Sequence, residues 1–264
     1  MSAAGPAPAR WGMRGLGALI RSEGRLFLRD PGNLFFVIAF PTVLLVGLGL
    51  TIPGMRVPIL ELPAPWRGFT PIDFFTPVML ATVAATAGLT ALPAYVAGAR
   101  ELGVVRRLQT TPMRRQGVLV APVVVQLCGV AVGAVLALVV AVTVFDCPMP
   151  RQPALAIVAF LLAVASMFAV GLVIGGLAPR ASTASGLGTL LYFPMLFVAG
   201  VWTPGPLMPD AVAQVAQWTP LGAAAQALMT AWFEQGTPWL ALGVAAAWSV
   251  LAFTVAVRTF RWTR

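Results

Sequence analysis

Seventeen arginines and no lysine divide this chain into a series of long apolar runs, and their placement constrains its fold more than any other feature. Fourteen fall on one side of a chain threaded back and forth through a membrane: Arg10, Arg14, Arg21, Arg25 and Arg29, then Arg100, Arg106, Arg107, Arg114 and Arg115, then Arg180, then Arg258, Arg261 and Arg264. Arg56, Arg67 and Arg151 fall on the other. Arginines beside spans stay on the cytoplasmic side, so this split predicts an even number of crossings with both termini inside. With 59% hydrophobic and 9% charged residues, the chain is too apolar for one aqueous core, and the expected solvent is lipid.

The composition also excludes functions. The net charge of +9 sits beside spans rather than on a soluble domain, so it reads as topology and anionic-lipid contact, not nucleic-acid binding. A P-loop needs a lysine on the β- and γ-phosphates, and none exists here. Histidine is absent, and Cys128 and Cys147 would sit roughly 28 Å apart on one helix, too far for a disulfide. That leaves no donor set for zinc or iron. No cleavable signal peptide is expected, because the first long apolar run starts near Asn33 and serves as the insertion signal.

Residues 14–29 come first. On a helical wheel Leu16, Leu19, Ile20, Leu26 and Phe27 cluster on one side, and Arg14, Arg21, Arg25 and Arg29 on the other, with Glu23 and Leu28 as exceptions. This predicts a helix lying on the inner membrane surface. Asp30-Pro31-Gly32-Asn33 breaks it. Spans are expected at about 34–52, 72–97, 118–145, 154–178, 185–202 and 239–257, with a proline-rich outer loop after the first and a basic inner loop, 98–116, after the second. Residues 206–235 are apolar but are cut by Pro209, Trp218-Thr219-Pro220 and Gly236. A seventh span there would put the C-terminal arginines outside, so two short helices re-entering from the outer face are expected, covered by protein. Trp66, Trp202, Trp218, Trp232 and Trp239 are expected as an outer aromatic belt.

No ionisable residue falls near the middle of a span, which argues against ion-coupled transport, and Asp73 is expected at the outer interface. Gln126 is expected to hydrogen-bond a neighbouring helix. Gly129 with Gly133, and Gly171 with Gly175, are spaced for close helix packing. Pro41, Pro93, Pro122 and Pro194 are expected to kink their spans. Asp210 and Glu234 bracket the outer pair, where they would cap its helices. No acid–base or metal constellation suggests a membrane-embedded transferase.

Four stretches resemble the ABC-2 family of ABC-transporter permeases. They are Arg29-Asp30-Pro31-Gly32-Asn33-Leu34-Phe35-Phe36 with Phe40-Pro41; Arg100-Glu101-Leu102-Gly103-Val104-Val105-Arg106-Arg107-Leu108-Gln109-Thr110-Thr111-Pro112; Gly200-Val201-Trp202-Thr203-Pro204; and Met208-Pro209 with Thr219-Pro220-Leu221. The second is the most specific, and the likeness runs over nearly the whole chain, closest to the drug-resistance type. The resemblance implies an all-α polytopic membrane protein: an N-terminal tail and interfacial helix (1–32), then a six-span domain (33–264) with a coupling loop and an outer re-entrant hairpin. It implies a dimer, with itself or a related permease, bound to two separate ATPase subunits that carry the ATP and magnesium, and no cofactor of its own. Arg100, Glu101, Leu102, Gly103, Val105, Arg106, Arg107 and Leu108 would meet the ATPase. Pro204, Pro209, Asp210, Pro220 and Glu234 would shape the outer hairpin. The expected activity is ATP-driven export of an apolar or amphipathic drug, antibiotic or lipid across a bacterial plasma membrane. Export of a lipid-linked glycan or glycolipid is the alternative, and a non-ABC carrier a more distant one. The absence of a carbohydrate-binding domain disfavours long polysaccharide.

Overall fold

The computed structural model describes residues 15–101 and 117–259, and among these every regular element is helical. Helix α1 spans Leu16–Arg29. Six longer helices follow the apolar runs: α2 Pro31–Thr51, α3 Pro71–Glu101, α4 Gly117–Phe145, α5 Pro153–Leu177, α6 Ala181–Ala199 and, last in the chain, α9 Trp239–Thr259. All six are long and apolar enough to cross a membrane. Between α6 and α9 come a short turn of 3₁₀ helix at Gly205–Leu207 and two helices, α7 Asp210–Ala216 and α8 Pro220–Phe233. The helices therefore begin and end within a few residues of the expected spans.

The ends are set by local chemistry. The Asp30 carboxylate accepts from the Asn33 amide at 3.1 Å and opens α2 behind Pro31. Asp73 stands in the first turn of α3, at the end of the span where it was expected, and is buried: one carboxylate oxygen accepts from both the Thr70 amide and the Thr70 hydroxyl, each at 2.8 Å, and starts α3. The carboxylate is buried at no cost to hydrogen bonding because those donors replace water. Gly200, at φ 92°, ends α6 in the left-handed conformation that suits glycine.

Helix α3 is the hub. About 89% of its most apolar window is buried, against 22–44% for the other five spans. It packs against α2, α4, α5, α6 and α8. Two spans widen into π-helical turns, Phe35–Ala39 and Thr86–Ala91, each just ahead of a proline, Pro41 and Pro93. A helical proline cannot donate to the carbonyl four residues back and its ring crowds it; a π turn relieves that clash. The carbonyls in question are Val37 and Leu89. Gly133 of α4 lies against the first and Gly188 of α6 against the second, where a Cβ would collide with backbone oxygen. The expected kinks at Pro41 and Pro93 thus take the form of π turns, whereas α4 and α6 run on as α-helix through Pro122 and Pro194. The close packing expected of the spaced glycines is intramolecular: Gly129 meets Phe27, and Gly171 meets the Gly88 carbonyl.

Candidate functional site

One end of the bundle holds the arginines described at the spans' termini. There Arg100 and Glu101 close helix α3, and each reaches the turn between α5 and α6. Arg100 Nη1 donates to the carbonyls of Gly175 at 3.0 Å, Gly176 at 2.5 Å and Ala178 at 3.4 Å. These are carbonyls at the C-terminus of α5 that the helix itself leaves without donors. The Glu101 carboxylate accepts from the Ala181 amide at 3.0 Å, the first residue of α6. A cation thus sits on the negative end of one helix dipole and an anion on the positive end of the next. Ala97, Ala178 and Ala184 pack beneath the pair, small enough to let the three helix ends converge.

Arg100 and Glu101 were expected to face a partner protein; their described contacts are to their own chain. Leu102, Gly103, Val105, Arg106, Arg107 and Leu108 lie outside the described residues, as does Arg14. Arg21, Arg25 and Arg29 are exposed along α1, while Phe27 turns inward onto α4. The grip on the α5–α6 turn was not foreseen. Its signal was present: an adjacent Arg-Glu pair at a helix end, and a Pro179–Ser182 turn too short to satisfy its own carbonyls and amides.

At the opposite end lie α7 and α8, antiparallel, with the Gln226 amide donating to the Ala213 carbonyl at 3.3 Å. Helix α8 is buried along nearly its whole length, against α3, α5, α6 and α9. Its first turn is held by Thr219, whose hydroxyl accepts from the Gly222 amide at 3.1 Å. Its last residue, Phe233, packs on Phe69, Phe74 and Trp66 with ring centroids 4.8, 5.0 and 5.6 Å away. Arg151 donates to the Phe233 carbonyl at 3.1 Å, and Gln152 to those of Glu234 and Gly236.

The turn joining α7 to α8 lies far from that cluster: the Trp218 carbonyl accepts from Trp248, ten residues into α9. Trp218 therefore sits level with the middle of a span, and Trp232 is buried with its indole donating to Pro148. The Trp232 indole is thus held inside the protein rather than in an outer aromatic belt, whereas the Trp218 side chain is exposed. Pro204 and Pro220 are buried; Pro209 and Asp210 are exposed. Asp210 occupies the first turn of α7, favourable for the dipole, without a side-chain capping bond. Glu234 caps the C-terminus of α8, as expected: its amide donates to the Thr230 carbonyl at 3.0 Å, and its carboxylate accepts from the Thr230 hydroxyl at 3.2 Å. Between this pair and the end of α6 is a cavity of about 290 Å³, lined by Met208, Met229, Trp66, Gln226 and Glu234 among others. Its walls are largely apolar with a few polar groups, the composition that suits an amphipathic guest.

Such a bundle, with five apolar helices around a sixth, buried hub and charge gathered at its ends, defines a multi-pass helical membrane protein. Its sequence matches the family model described as ABC-2 type transporter over residues 14–233, and the chain belongs to that family. The match ends with α8, before α9. No curated protein matches the sequence. The chain is accordingly a permease component of an ABC-type transporter, a family whose membrane components work with a separate ATPase and in general assemble as dimers. A non-ABC carrier is thereby set aside.

Proposed function

We propose that this chain is the permease subunit of an exporter that carries an apolar or amphipathic substrate, a drug, antibiotic or lipid, out across a bacterial plasma membrane. Two copies would work with two ATPase subunits on the cytoplasmic side, where both termini lie. Helices α7 and α8 would dip in from the outer face, a reading supported by the contact of Trp218 with the middle of α9.

The observation that carries the mechanism is the Arg100–Glu101 grip. This pair stands where the basic loop meets α3, and it holds the α5–α6 turn through bonds to backbone. A motor that displaces the loop then moves α3 directly and α5 and α6 through these bonds. Packed helices shift between discrete arrangements rather than bending, so a small push at this end is passed along the hub as a rigid-body step. The far end of that hub is the buried start of α3, which packs on α8, and α8 in turn lines the largely apolar cavity there. With no lysine for a P-loop, the energy must come from the partner.

The test is reconstitution of the chain with its ABC ATPase and a simultaneous assay of transport and ATP hydrolysis. The chain alone is expected to hydrolyse nothing. Glu101→Arg places a cation against the positive end of α6 and is expected to abolish transport while the complex still assembles. Normal transport by that variant would remove the pair from the coupling path. Substrate movement that persists without the ATPase would remove the exporter reading altogether.

A further inference from the structure

Helix α1 presents Arg21, Arg25 and Arg29 in a row, each four residues from the next and each exposed. The opposite side of the helix is held by protein. Phe27 is buried against Gly129 of α4, and Ile20 packs on the same core. The Tyr95 phenol donates to the Glu23 carboxylate, which fixes α1 to the hub as well. At 3.6 residues per turn the three arginines lie across the helix from Phe27 and so point away from the bundle.

Their own chain offers them no anion. Among the described residues none of the three meets a carboxylate, and Arg21 uses only its Nε, on the Gly17 carbonyl at 3.3 Å. The carboxylates at this end are engaged elsewhere: Glu23 by Tyr95, Asp30 by the Asn33 amide, Glu101 by the Ala181 amide. Residues 1–14, 102–116 and 260–264 contain no aspartate or glutamate. Like charges four apart on a helix repel, so the row calls for anions from outside the chain. Its flanks indicate which. Leu26 and Leu28, 56% and 67% exposed, border the row on either side, and Phe35 and Phe36 are exposed near the start of α2. Guanidinium groups between exposed leucines, beside the exposed rings of a span, suit the boundary between phosphate and acyl chain. Their fork geometry matches phosphate oxygens.

We propose that Arg21, Arg25 and Arg29 bind the head groups of anionic phospholipid in the adjoining leaflet. Neighbouring arginines stand about 6 Å apart along the helix axis, and a phosphate between each pair relieves their repulsion. The acyl chains lie beside Leu26 and Leu28. Because α1 is pinned to α3 and α4, the two spans that flank residues 102–116, bound lipid steadies that pair at the arginine end. The proposal rests on the membrane reading of the fold and not on export. The assay below contains no ATPase, so its failure leaves the exporter reading standing.

The experiment titrates phosphatidylglycerol, phosphatidylcholine or inorganic phosphate into the full chain in a neutral maltoside detergent, with the unfolding temperature as readout. Phosphatidylglycerol is expected to raise that temperature saturably. Phosphatidylcholine, whose choline cancels the phosphate charge, and inorganic phosphate, which has no chains to lie beside the leucines, are expected to leave it unchanged. Each arginine near the surface contributes about fivefold, so a chain carrying Arg21→Gln, Arg25→Gln and Arg29→Gln together is expected to bind phosphatidylglycerol about a hundredfold more weakly. All three side chains are exposed, and without lipid this variant is expected to unfold no earlier than the unaltered chain. Arg67→Gln, exposed at the opposite end, is expected to keep full affinity. Raising the salt from about 0.1 to 1 M, which shortens the screening length from about 10 to 3 Å, is expected to weaken the effect. Equal stabilisation by phosphatidylcholine or by inorganic phosphate overturns the proposal. So does a triple variant with undiminished affinity, or an equal loss in Arg67→Gln. No response to any of the three additions also overturns it and assigns the row to an acidic protein surface.

Discussion

At the end of the bundle that carries Phe233, the chain is tied by rings and by bonds to consecutive carbonyls: Phe233 against Phe69, Phe74 and Trp66, Arg151 and Gln152 on the carbonyls that close α8, Trp232 on Pro148. At the end that carries Arg100, two adjacent side chains hold a whole helical turn. The first arrangement spreads its hold over many apolar contacts, each of which would have to open together. The second concentrates it in a few charge-assisted bonds that solvent or a partner can replace. A region that must stay shut is better built the first way, and a region that must be moved by another protein is better built the second.

The comparison breaks most easily at Phe233. Truncating this fully buried ring should cost about 3–5 kcal/mol, since the surrounding rings and the Arg151 bond hold the space open rather than letting it collapse. Phe233→Ala is expected to lower the unfolding temperature of the detergent-purified chain more than any single change at the arginine end. A shift no larger than that of a surface variant would show that the aromatic cluster does not carry this end.

Arg100→Gln sharpens the contrast. The amide reaches fewer of the three carbonyls and brings no charge to the end of α5, so a stability loss of about 1.5–3 kcal/mol is expected from the charge-assisted bonds given up. That is smaller than for Phe233→Ala, yet the loss of transport should be greater than the stability change explains, because the variant leaves the fold and frees the α5–α6 turn. Transport per folded complex, measured beside ATPase rate, separates the two. If transport falls only in proportion to folded protein, the grip is static packing.

These two ends were unequally legible in the sequence. The six spans and the break between α7 and α8 follow from apolar runs stopped by Pro, Gly and Asp, which act within a few residues of where they stand. Even α1 was readable from the spacing of its arginines. What was hidden depends on residues far apart in the chain. Glu101 meets Ala181, and Arg151 meets Phe233, each some eighty positions away. Trp232 looks like an interfacial anchor until α8 is placed inside the bundle, where its indole finds Pro148. The π turns also escaped, because Pro41 and Pro93 announce a disturbance but not its form. In both spans a glycine from another helix, Gly133 or Gly188, comes close to the carbonyl that the proline leaves free, a contact between residues far apart in the chain.

The smallest expected effect concerns Cys147, which tests whether the ring-bound end stays closed. This thiol lies just beyond α4, buried beside Asp73 and Thr76. Burial pushes its pKa up to about 12 from the ordinary 9.0, and the nearby Asp73 charge acts in the same direction against a hydrogen bond with Thr76. Only the thiolate attacks a maleimide, so at pH 8 this site should hold on the order of a thousandfold less of the reactive form than an ordinary cysteine. Because a raised pKa delays ionisation, reaction is expected to grow with pH well past 9 instead of levelling there. A Cys128→Ala chain, which leaves Cys147 as its single thiol, gives the measurement: labelling by a water-soluble maleimide followed over hours from pH 7 to 10. Very slow labelling of the folded chain and rapid labelling after Phe233→Ala would tie the thiol's protection to the aromatic cluster itself. Prompt labelling of the otherwise unaltered chain at pH 7 would mean that this end opens readily, and that the contrast between a shut end and a movable one does not hold.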